Sequence, residues 1–347
     1  MRVLHVIAGA AAGGAETFSL DAIAALAERG VVQKVVCRPH RQAVARLTEL
    51  SIPFETYGFA TAARLLGGPA MVRRQAATWR ADLVHAWMSR AASFVPAGMP
   101  CPVIGWLGGY YNLKYFKTAD YLVGVTPRIR DYLIAHAIPP DRALVCHTFG
   151  TLPDSPPVSR QALGVPEGAL LLLVLSRLHW KKGIDTAIRA LGDLPEAHLC
   201  LAGEGPGRGE YERLAGRLGW PERVHFLGWR SDRRSLLDAC DICLLPSRYE
   251  PFGTVIAEAW SMRRPLVAAL ADGARQYVRD GDNGVLFPVD DAAALADCIR
   301  RIAGDPALAA RLAENGHRDY RANFTRDVVT GNLLAIYRRI AGGAPVA

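Results

Sequence analysis

The stretch Glu250-Pro251-Phe252-Gly253-Thr254-Val255-Ile256-Ala257-Glu258 places two carboxylates, separated by seven residues, around a Gly-Thr step. A short apolar run, Ile242–Leu245, precedes this stretch, and apolar residues recur at helical spacing after Thr254. The pattern therefore predicts a buried strand, a polar loop and a helix that begins at Gly253. A strand that ends in a loop and leads into a helix is the repeating unit of an α/β fold.

The chemistry of this stretch follows from the predicted helix start. The first backbone N–H groups of a helix have no acceptor within it, so the amides of Gly253, Thr254 and Val255 predict an anion site. Glu250 and Glu258 would flank the anion and accept hydrogen bonds from hydroxyl groups. An anion beside hydroxyl groups indicates a nucleotide sugar. The alternative is a capped helix with two solvated glutamates, because capping sequences are common.

A second strand-like run lies earlier in the chain. Leu170–Leu175 has the continuous apolar character of a buried parallel strand, and Ser176 to Gly183 follow it. We expect Arg177, at the strand's carboxyl end, and Lys182, at the start of the next helix, to face the same crevice as Gly253. Open α/β sheets bind ligands in such crevices. Two fixed cations there would suit a diphosphate.

Several motifs occur in a fixed order along the chain: Gly13-Gly14-Ala15-Glu16, Ser176-Arg177-Leu178, Gly203-Glu204-Gly205, the Glu250-to-Glu258 element and a basic C-terminal helix. The ordered set resembles the retaining GT-B glycosyltransferases, specifically the bacterial group 1, family 4 type enzymes of lipopolysaccharide or other cell-surface glycan assembly. The resemblance implies an α/β fold in which two Rossmann-like, doubly wound domains face each other across a cleft.

Length and composition agree with two domains. The chain has 347 residues, half of them hydrophobic, which is enough for two cores. A Pro- and Ser-rich stretch at residues 152–159 is the best linker candidate. We expect an acceptor-side domain over residues 1–155 and a donor-binding domain over residues 160–325. By resemblance, the closing helix, about residues 326–347, crosses back to the first domain.

The resemblance implies transfer of a sugar from a nucleoside diphosphate to an acceptor hydroxyl with retention of configuration. Glu250 would hold the hydroxyls of the donor sugar and Glu258 those of the ribose, with Gly203 and Gly205 also at the donor. Arg177, Lys182 and the helix start would stabilise the diphosphate in place of a metal. We therefore expect no cofactor, no metal and no Asp-x-Asp metal site.

The glycine loop after the first strand, Gly13 and Gly14, differs from a dinucleotide fingerprint. That fingerprint needs Gly-x-Gly-x-x-Gly and an acid about 20 residues later, and Cys37-Arg38-Pro39 carries no acid. We therefore do not expect a nicotinamide enzyme. The resemblance implies that the loop approaches the donor from across the cleft, where side chains would obstruct it. The alternative is a tightly packed strand-to-helix turn.

One position departs from the family pattern. Leu107 stands where many relatives carry a histidine that contacts the donor sugar, and leucine cannot make that hydrogen bond. Tyr110, Tyr111 and His85 are candidates to contact sugar or acceptor instead. For each of them, a place in the core or the cleft wall is the alternative. Cys146 to Gly150 also departs, where relatives usually have Asn-Gly, and indicates altered packing at the hinge.

The seven cysteines are odd in number and scattered among apolar neighbours. Cys240 and Cys243 have the spacing of a redox or zinc pair, but no second pair or histidine cluster completes a site. We interpret them as buried thiols.

The charge is uneven along the chain. Residues 1–150 contain 16 Lys and Arg against 9 Asp and Glu, so they carry most of the net charge of +8. Residues 59–80 mix basic and apolar side chains, a combination that predicts docking on an anionic leaflet. The alternative is a solvated basic face, and no nucleic acid is expected. The residues that carry the pattern are Arg64, Leu65, Leu66, Met71, Val72, Arg73, Arg74, Trp79 and Arg80.

No apolar run is long enough for a transmembrane helix, and the strand-like start at Arg2 leaves no room for a signal peptide. We expect a cytoplasmic enzyme, peripheral on the inner face of the plasma membrane, with a lipid-linked acceptor. A soluble acceptor, a sugar-nucleotide 2-epimerase and a catalytically silent nucleotide-sugar binder are the alternatives. The donor base, the donor sugar and the acceptor are not determined by the sequence.

Overall fold

The computed structural model describes residues 1–10, 13–60, 63 and 67–342. The chain divides into two compact units. Unit 1 comprises Met1–Phe149 together with the segment from Arg326 to the C-terminus, and unit 2 comprises Gly150–Thr325.

Unit 1 is built on a seven-stranded sheet in which every pairing is parallel. The strands are β1 (Arg2–Ile7), β2 (Val32–Cys37), β3 (Phe54–Thr56), β4 (Leu83–Trp87), β5 (Val103–Leu107), β6 (Tyr121–Gly124) and β7 (Ala143–Val145). Their order is β3-β2-β1-β4-β5-β6-β7. The helices between them are α1 (Gly14–Glu28), α2 (Arg41–Glu49), α3 (Gly68–Thr78), α4 (Met88–Ala92) and α5 (Pro127–Ala135).

Unit 2 repeats the plan with six parallel strands. They are β8 (Leu170–Leu175), β9 (Ala197–Ala202), β10 (Val224–Gly228), β11 (Ile242–Leu245), β12 (Leu266–Ala269) and β13 (Val285–Phe287), in the order β10-β9-β8-β11-β12-β13. The helices are α6 (Ile184–Ala190), α7 (Arg208–Arg217), α8 (Arg233–Ala239), α9 (Thr254–Ser261), α10 (Asp272–Tyr277), α11 (Ala292–Ala303) and α12 (Pro306–Asn323).

Each sheet has a point at which the strand order reverses. In unit 1 the reversal lies between β1 and β4, and in unit 2 it lies between β8 and β11. The loops that follow these two strands leave the sheet in opposite directions, which opens a crevice at their carboxyl ends. The predicted doubly wound α/β architecture is therefore confirmed in both units.

The closing helix α13 (Arg326–Ala341) packs on unit 1. Arg326 forms a two-bonded ion pair with Glu28 of α1, and Arg29 pairs with Asp327 at 3.0 Å. Farther along the helix, Tyr337 is buried in the core. Surface ion pairs contribute little, so the buried face of α13 supplies most of the anchoring.

Part of the membrane prediction is wrong, because the apolar residues of α3 are largely buried. Val72 is fully buried and Met71 and Trp79 are half-buried, whereas Arg73 and Arg74 are exposed. Because the apolar face of α3 packs on unit 1, it does not offer an apolar stripe to a leaflet; Arg64, Leu65 and Leu66 lie outside the described residues. Within the ranges given above, no helix combines the length and apolar character needed to span a bilayer.

Candidate active site

The loops after β8 and β11 meet at the reversal point of unit 2. Gly183 has a left-handed backbone, with φ of +61°, and a β-carbon there would lie 2.0 Å from the carbonyl oxygen of Pro246. This close approach brings Lys182 and Glu250 together, with 2.6 Å between Nζ and Oε2. Their side chains are 26 % and 15 % exposed, so the pair is largely shielded from water. Two of the predicted catalytic residues therefore form one ion pair at the crevice.

Helix α9 begins beside this pair, as the sequence predicts. Gly253 has a φ of +87°, a left-handed conformation that glycine adopts without strain, and no side chain caps the first turn. The amide of Gly273 donates a 2.7 Å hydrogen bond to the carbonyl of Glu250, which fixes the loop against α10. The amides of Thr254 and Val255 belong to the uncapped first turn, and this arrangement can bind an anion.

Glu258 lies one turn into α9, and its side chain is only 1 % exposed. One carboxylate oxygen, Oε1, accepts a hydrogen bond from Arg233. The other, Oε2, is buried and has no hydrogen-bond partner among the described residues. Burial raises the pKa of Glu258, and the Arg233 charge opposes that rise. Buried oxygens without a donor are uncommon and costly, and Oε2 has the capacity to accept one further hydrogen bond, for example from a hydroxyl group.

Arg233 is a site residue that the sequence reasoning missed. It begins α8, contacts Glu258 and donates to the carbonyl of Thr151 at 3.1 Å. Gly150 is part of the same arrangement, since a β-carbon there would lie 2.8 Å from Cγ of Glu258. No local pattern signals these contacts, because the partners lie 25 residues or more from Glu258 in the chain.

The remaining donor-side candidates lie on neighbouring strand ends. Arg177 follows β8 and is exposed, and its guanidinium forms no ion pair with any residue that the structure describes. Gly203 and Gly205 follow β9, where β-carbons would lie 2.0 Å from the carbonyl oxygen of Ser176 and 2.3 Å from that of Leu178. Because these glycines have no side chain, the loop after β9 packs directly against the loop after β8. Arg177, Gly203 and Gly205 follow the carboxyl ends of β8 and β9, so they lie at the same edge of the sheet.

The unit 1 candidates are more dispersed. Gly13 and Gly14 are exposed where α1 begins. A β-carbon on Gly14 would meet nothing within 4 Å, whereas one on Gly13 would lie 2.4 Å from Oε2 of Glu16, so the tight-packing alternative fits Gly13 and not Gly14. Tyr110 and Tyr111 are half-buried in the loop after β5, with the Tyr110 ring edge-on to Tyr132 at 5.5 Å.

His85 is a core residue, which corrects its candidacy for sugar contact. It lies in the middle of β4, has no exposed surface, stacks on Trp87 at 3.9 Å between ring centroids and hydrogen-bonds to Tyr337. A strand buried along its whole length leaves no face for a ligand. Leu107, where relatives carry histidine, is also fully buried.

The structure supports the interpretation of Cys240 and Cys243 as buried thiols. Cys240 and Cys243 are unpaired and buried, and burial raises the pKa of Cys240 to about 12. Such thiols are protonated and unreactive near neutral pH.

One Asp-x-Asp triplet does occur, at Asp280-Gly281-Asp282, contrary to our expectation. Its carboxylates serve the local fold: Asp280 accepts from the amide of Leu286, and Asp282 accepts from Arg279 and Asn315. Over the described ranges, no group of three or more His, Cys, Asp or Glu side chains is arranged to hold a metal ion.

The architecture matches solved glycosyltransferases. The structure of Anabaena Alr3699/HepE in complex with UDP-glucose is 25 % identical, with a TM-score of 0.83 over 97 % of this chain and 99 % of that one. WaaG, a glycosyltransferase involved in lipopolysaccharide biosynthesis, is 22 % identical with a TM-score of 0.71 over 99 % and 100 % of the two chains. Two doubly wound units with this likeness define the GT-B class.

The sequence comparisons give the family. Residues 157–319 match the glycosyl transferases group 1 model, and residues 12–149 match the glycosyltransferase family 4 model. The lipopolysaccharide core biosynthesis glycosyltransferases LpsE and LpsD of Rhizobium meliloti (strain 1021) are 33 % and 31 % identical. The alignments cover 97 % and 98 % of this chain and 98 % of each relative. The chain belongs to the group 1 glycosyltransferases.

Proposed function

We propose that this chain is a metal-independent, retaining glycosyltransferase that moves a sugar from a nucleoside-diphosphate sugar to a hydroxyl of a glycolipid or growing glycan. The observation that carries the proposal is the Lys182–Glu250 pair beside the uncapped start of α9. A cation, a carboxylate and free helix amides meet the needs of a diphosphate joined to a polyhydroxy ring.

The chemistry assigns a role to each group. Breaking the bond between sugar and diphosphate leaves negative charge on the diphosphate, which Lys182, Arg177 and the amides of Gly253 to Val255 would stabilise. Glu250 would accept hydrogen bonds from donor-sugar hydroxyls. The buried Oε2 of Glu258 would accept from a ribose hydroxyl, which would satisfy its missing hydrogen bond.

The relatives indicate which donor nucleotide and which acceptor to test first. Uridine diphosphate is the first nucleotide to test, because a solved relative is described in complex with UDP-glucose. A lipopolysaccharide core or a related surface glycan is the favoured acceptor, since LpsE and LpsD are named for that pathway. Such a lipid-linked acceptor would place the enzyme on the inner face of the plasma membrane. A soluble acceptor and a catalytically silent nucleotide-sugar binder are the competing proposals.

The membrane part of the proposal rests on charge. Arg73, Arg74 and Arg80 are exposed on unit 1, and lysine or arginine near an anionic leaflet contributes about 1 kcal/mol each. Co-sedimentation with anionic vesicles should be strong at low salt and weak at high salt, and should fall when Arg73 and Arg74 are replaced by glutamine. Equal, negligible binding to anionic and neutral vesicles would leave the soluble acceptor as the remaining proposal.

The donor is tested by binding and turnover. A panel of nucleoside diphosphates is screened by thermal shift, and the matching nucleotide sugars are assayed for transfer or hydrolysis. We expect uridine diphosphate to stabilise the protein most, and NMR of the product to show the anomeric configuration of the donor. An inverted product would contradict the retaining assignment. Donor binding without hydrolysis or transfer would favour the silent binder.

A further inference from the structure

Two exposed aromatic rings flank one lysine beside the candidate active site. Trp180 is 60 % exposed and Tyr249 is 41 % exposed, which places both among the few large apolar side chains on the described surface. The Nζ of Lys181 lies 5.0 Å from the ring centroid of Tyr249 and 5.9 Å from that of Trp180. We refer to Trp180, Lys181 and Tyr249 as the aromatic platform.

The platform is rigidly mounted. The carbonyl of Lys181 accepts hydrogen bonds from the amides of Arg248 and Tyr249, at 2.8 and 3.2 Å. The guanidinium of Arg248 donates to the carbonyl of Trp180 at 2.6 Å and forms two bonds with Asp185, at 2.9 and 2.7 Å. The loops that carry the two aromatic residues are therefore fixed to each other. Because their backbone is preorganised, a ligand would not have to order these loops on binding.

The position of the platform relates it to the reaction. Lys181 and Tyr249 are the chain neighbours of Lys182 and Glu250, which form the ion pair at the crevice. A group bound on the platform would therefore lie immediately beside the donor site. The ammonium of Lys181 forms no ion pair with another described residue, so its charge is available to a ligand.

From these observations we propose that the aromatic platform binds a sugar residue of the acceptor that carries an acidic group. The apolar face of a pyranose ring would stack on Trp180, and a carboxylate or phosphate on that sugar would pair with Lys181. This inference rests on the proposed function, since it names the acceptor class of the same site.

An anionic membrane is a poorer occupant for the same surface. Arg248 also pairs with Asp290 at 2.6 Å, so Asp185 and Asp290 offset the charges of Arg248 and Lys181 in the cluster. A leaflet responds to the summed charge of a patch, which these two carboxylates lower here. A single acidic group on a sugar, by contrast, would form an ion pair with the ammonium of Lys181 alone.

The test measures binding of small probes with the donor site filled. Ligand-observed NMR would follow glucose 6-phosphate, glucuronic acid, methyl glucoside and inorganic phosphate, each in the presence of saturating uridine diphosphate. We expect at least one of the two acidic sugars to bind about fivefold more tightly than methyl glucoside or inorganic phosphate. The tighter of the two acidic sugars identifies the acidic group.

Matched variants assign the binding to the platform. Trp180→Ala and Lys181→Gln should each weaken binding of the acidic sugar about fivefold, whereas Trp180→Phe, Lys181→Arg and Arg213→Ala, an exposed position on α7, should retain it. Equal binding of phosphate and sugar phosphate, or wild-type binding by Trp180→Ala, would overturn the proposal. Anionic-vesicle binding that Trp180→Ala abolishes, without sugar binding, would also overturn it and indicate a membrane contact. Failure of the wild-type protein to bind any nucleoside diphosphate of the thermal-shift panel would instead contradict the proposed function.

Discussion

Lys182 and Glu250 are 68 residues apart in the chain, yet their side chains form a 2.6 Å ion pair. The two residues follow β8 and β11, the strands at which the order of the unit 2 sheet reverses. Ser247 adds a 3.3 Å hydrogen bond to the same carboxylate oxygen. The fold therefore brings a cation and an anion together at the crevice where α/β sheets bind ligands.

Replacement of Lys182 or Glu250 by alanine is expected to lower kcat/KM. The expected loss of transition-state stabilisation is about 2–4 kcal/mol. The double variant should lose much less than the sum, because the groups contact each other. Steady-state assays on the two single variants and the double variant measure both effects. Arg213→Ala, on an exposed face of α7, is the control. Near wild-type kcat/KM in the Lys182 variant would contradict the assignment.

The ion pair between Arg233 and Glu258 predicts a stability effect. Arg233→Leu would leave the carboxylate of Glu258 buried without a cation, so its pKa should rise further and the free energy of unfolding should fall by about 2 kcal/mol. Arg233→Lys, which retains the charge, should lose less. Urea unfolding measures the change.

A second substitution separates stability from function. Adding Glu258→Gln to Arg233→Leu should recover stability by removing the buried charge, without restoring turnover. A single Arg233→Leu variant as stable as the wild type would show that Glu258 does not depend on this partner.

The start of α9 predicts an effect of Gly253→Ala. The backbone there has a φ of +87°, and a β-carbon would lie 2.9 Å from Cδ1 of Ile256. We expect a loss of about 1–2 kcal/mol in the free energy of unfolding and weaker binding of nucleoside diphosphate. Gly216→Ala, in α7 with open space around the glycine, should be neutral or stabilising. Equal behaviour of the two variants would argue against a requirement for glycine at the start of α9.

The buried histidines of unit 1 predict a pH dependence of stability. His5 accepts from the indole of Trp87 at 3.2 Å and hydrogen-bonds to Gln33 at 2.9 Å, and burial lowers its pKa from 6.5 to about 4. Since the folded pKa lies below the unfolded one, this stability is fully present above pH 6.5 and is lost as pH falls towards 4. The loss for His5 alone is about 3 kcal/mol.

Urea unfolding at pH values from 7.5 to 4 measures this effect. His5→Asn should be less stable at pH 7.5 but lose less stability on acidification, by about the same 3 kcal/mol. His136→Gln, at an exposed position of the same unit, should retain the wild-type slope. An unchanged slope in His5→Asn would contradict a neutral buried imidazole.

Strand ends were the most predictable part of the structure. Apolar runs locate β8 and β11, and parallel strands place their carboxyl ends at one edge, so the proximity of Lys182 and Glu250 follows from the sequence. The turn at Gly253 was predictable for the same reason, since the glycine immediately precedes a helical pattern.

Contacts between distant elements could not be predicted. Arg233 looks like an ordinary surface arginine in the sequence, and only the packing of α8 beside α9 brings it to Glu258. His85 was a candidate for sugar contact because the sequence does not show that β4 is buried along its whole length, where His85 stacks on Trp87 and hydrogen-bonds to Tyr337. The apolar residues of α3 were misjudged because periodicity alone does not distinguish a face that packs on the protein from one that packs on lipid.

The central claim is that unit 2 turns over a nucleotide sugar with its own cations and helix amides. The most direct test is the rate of uridine diphosphate release from a uridine-diphosphate sugar in the presence of EDTA, for the wild type and for Lys182→Ala. We expect the wild type to retain its rate in EDTA and the variant to lose most of it. Activity abolished by EDTA and restored by Mg²⁺ or Mn²⁺ would contradict the claim.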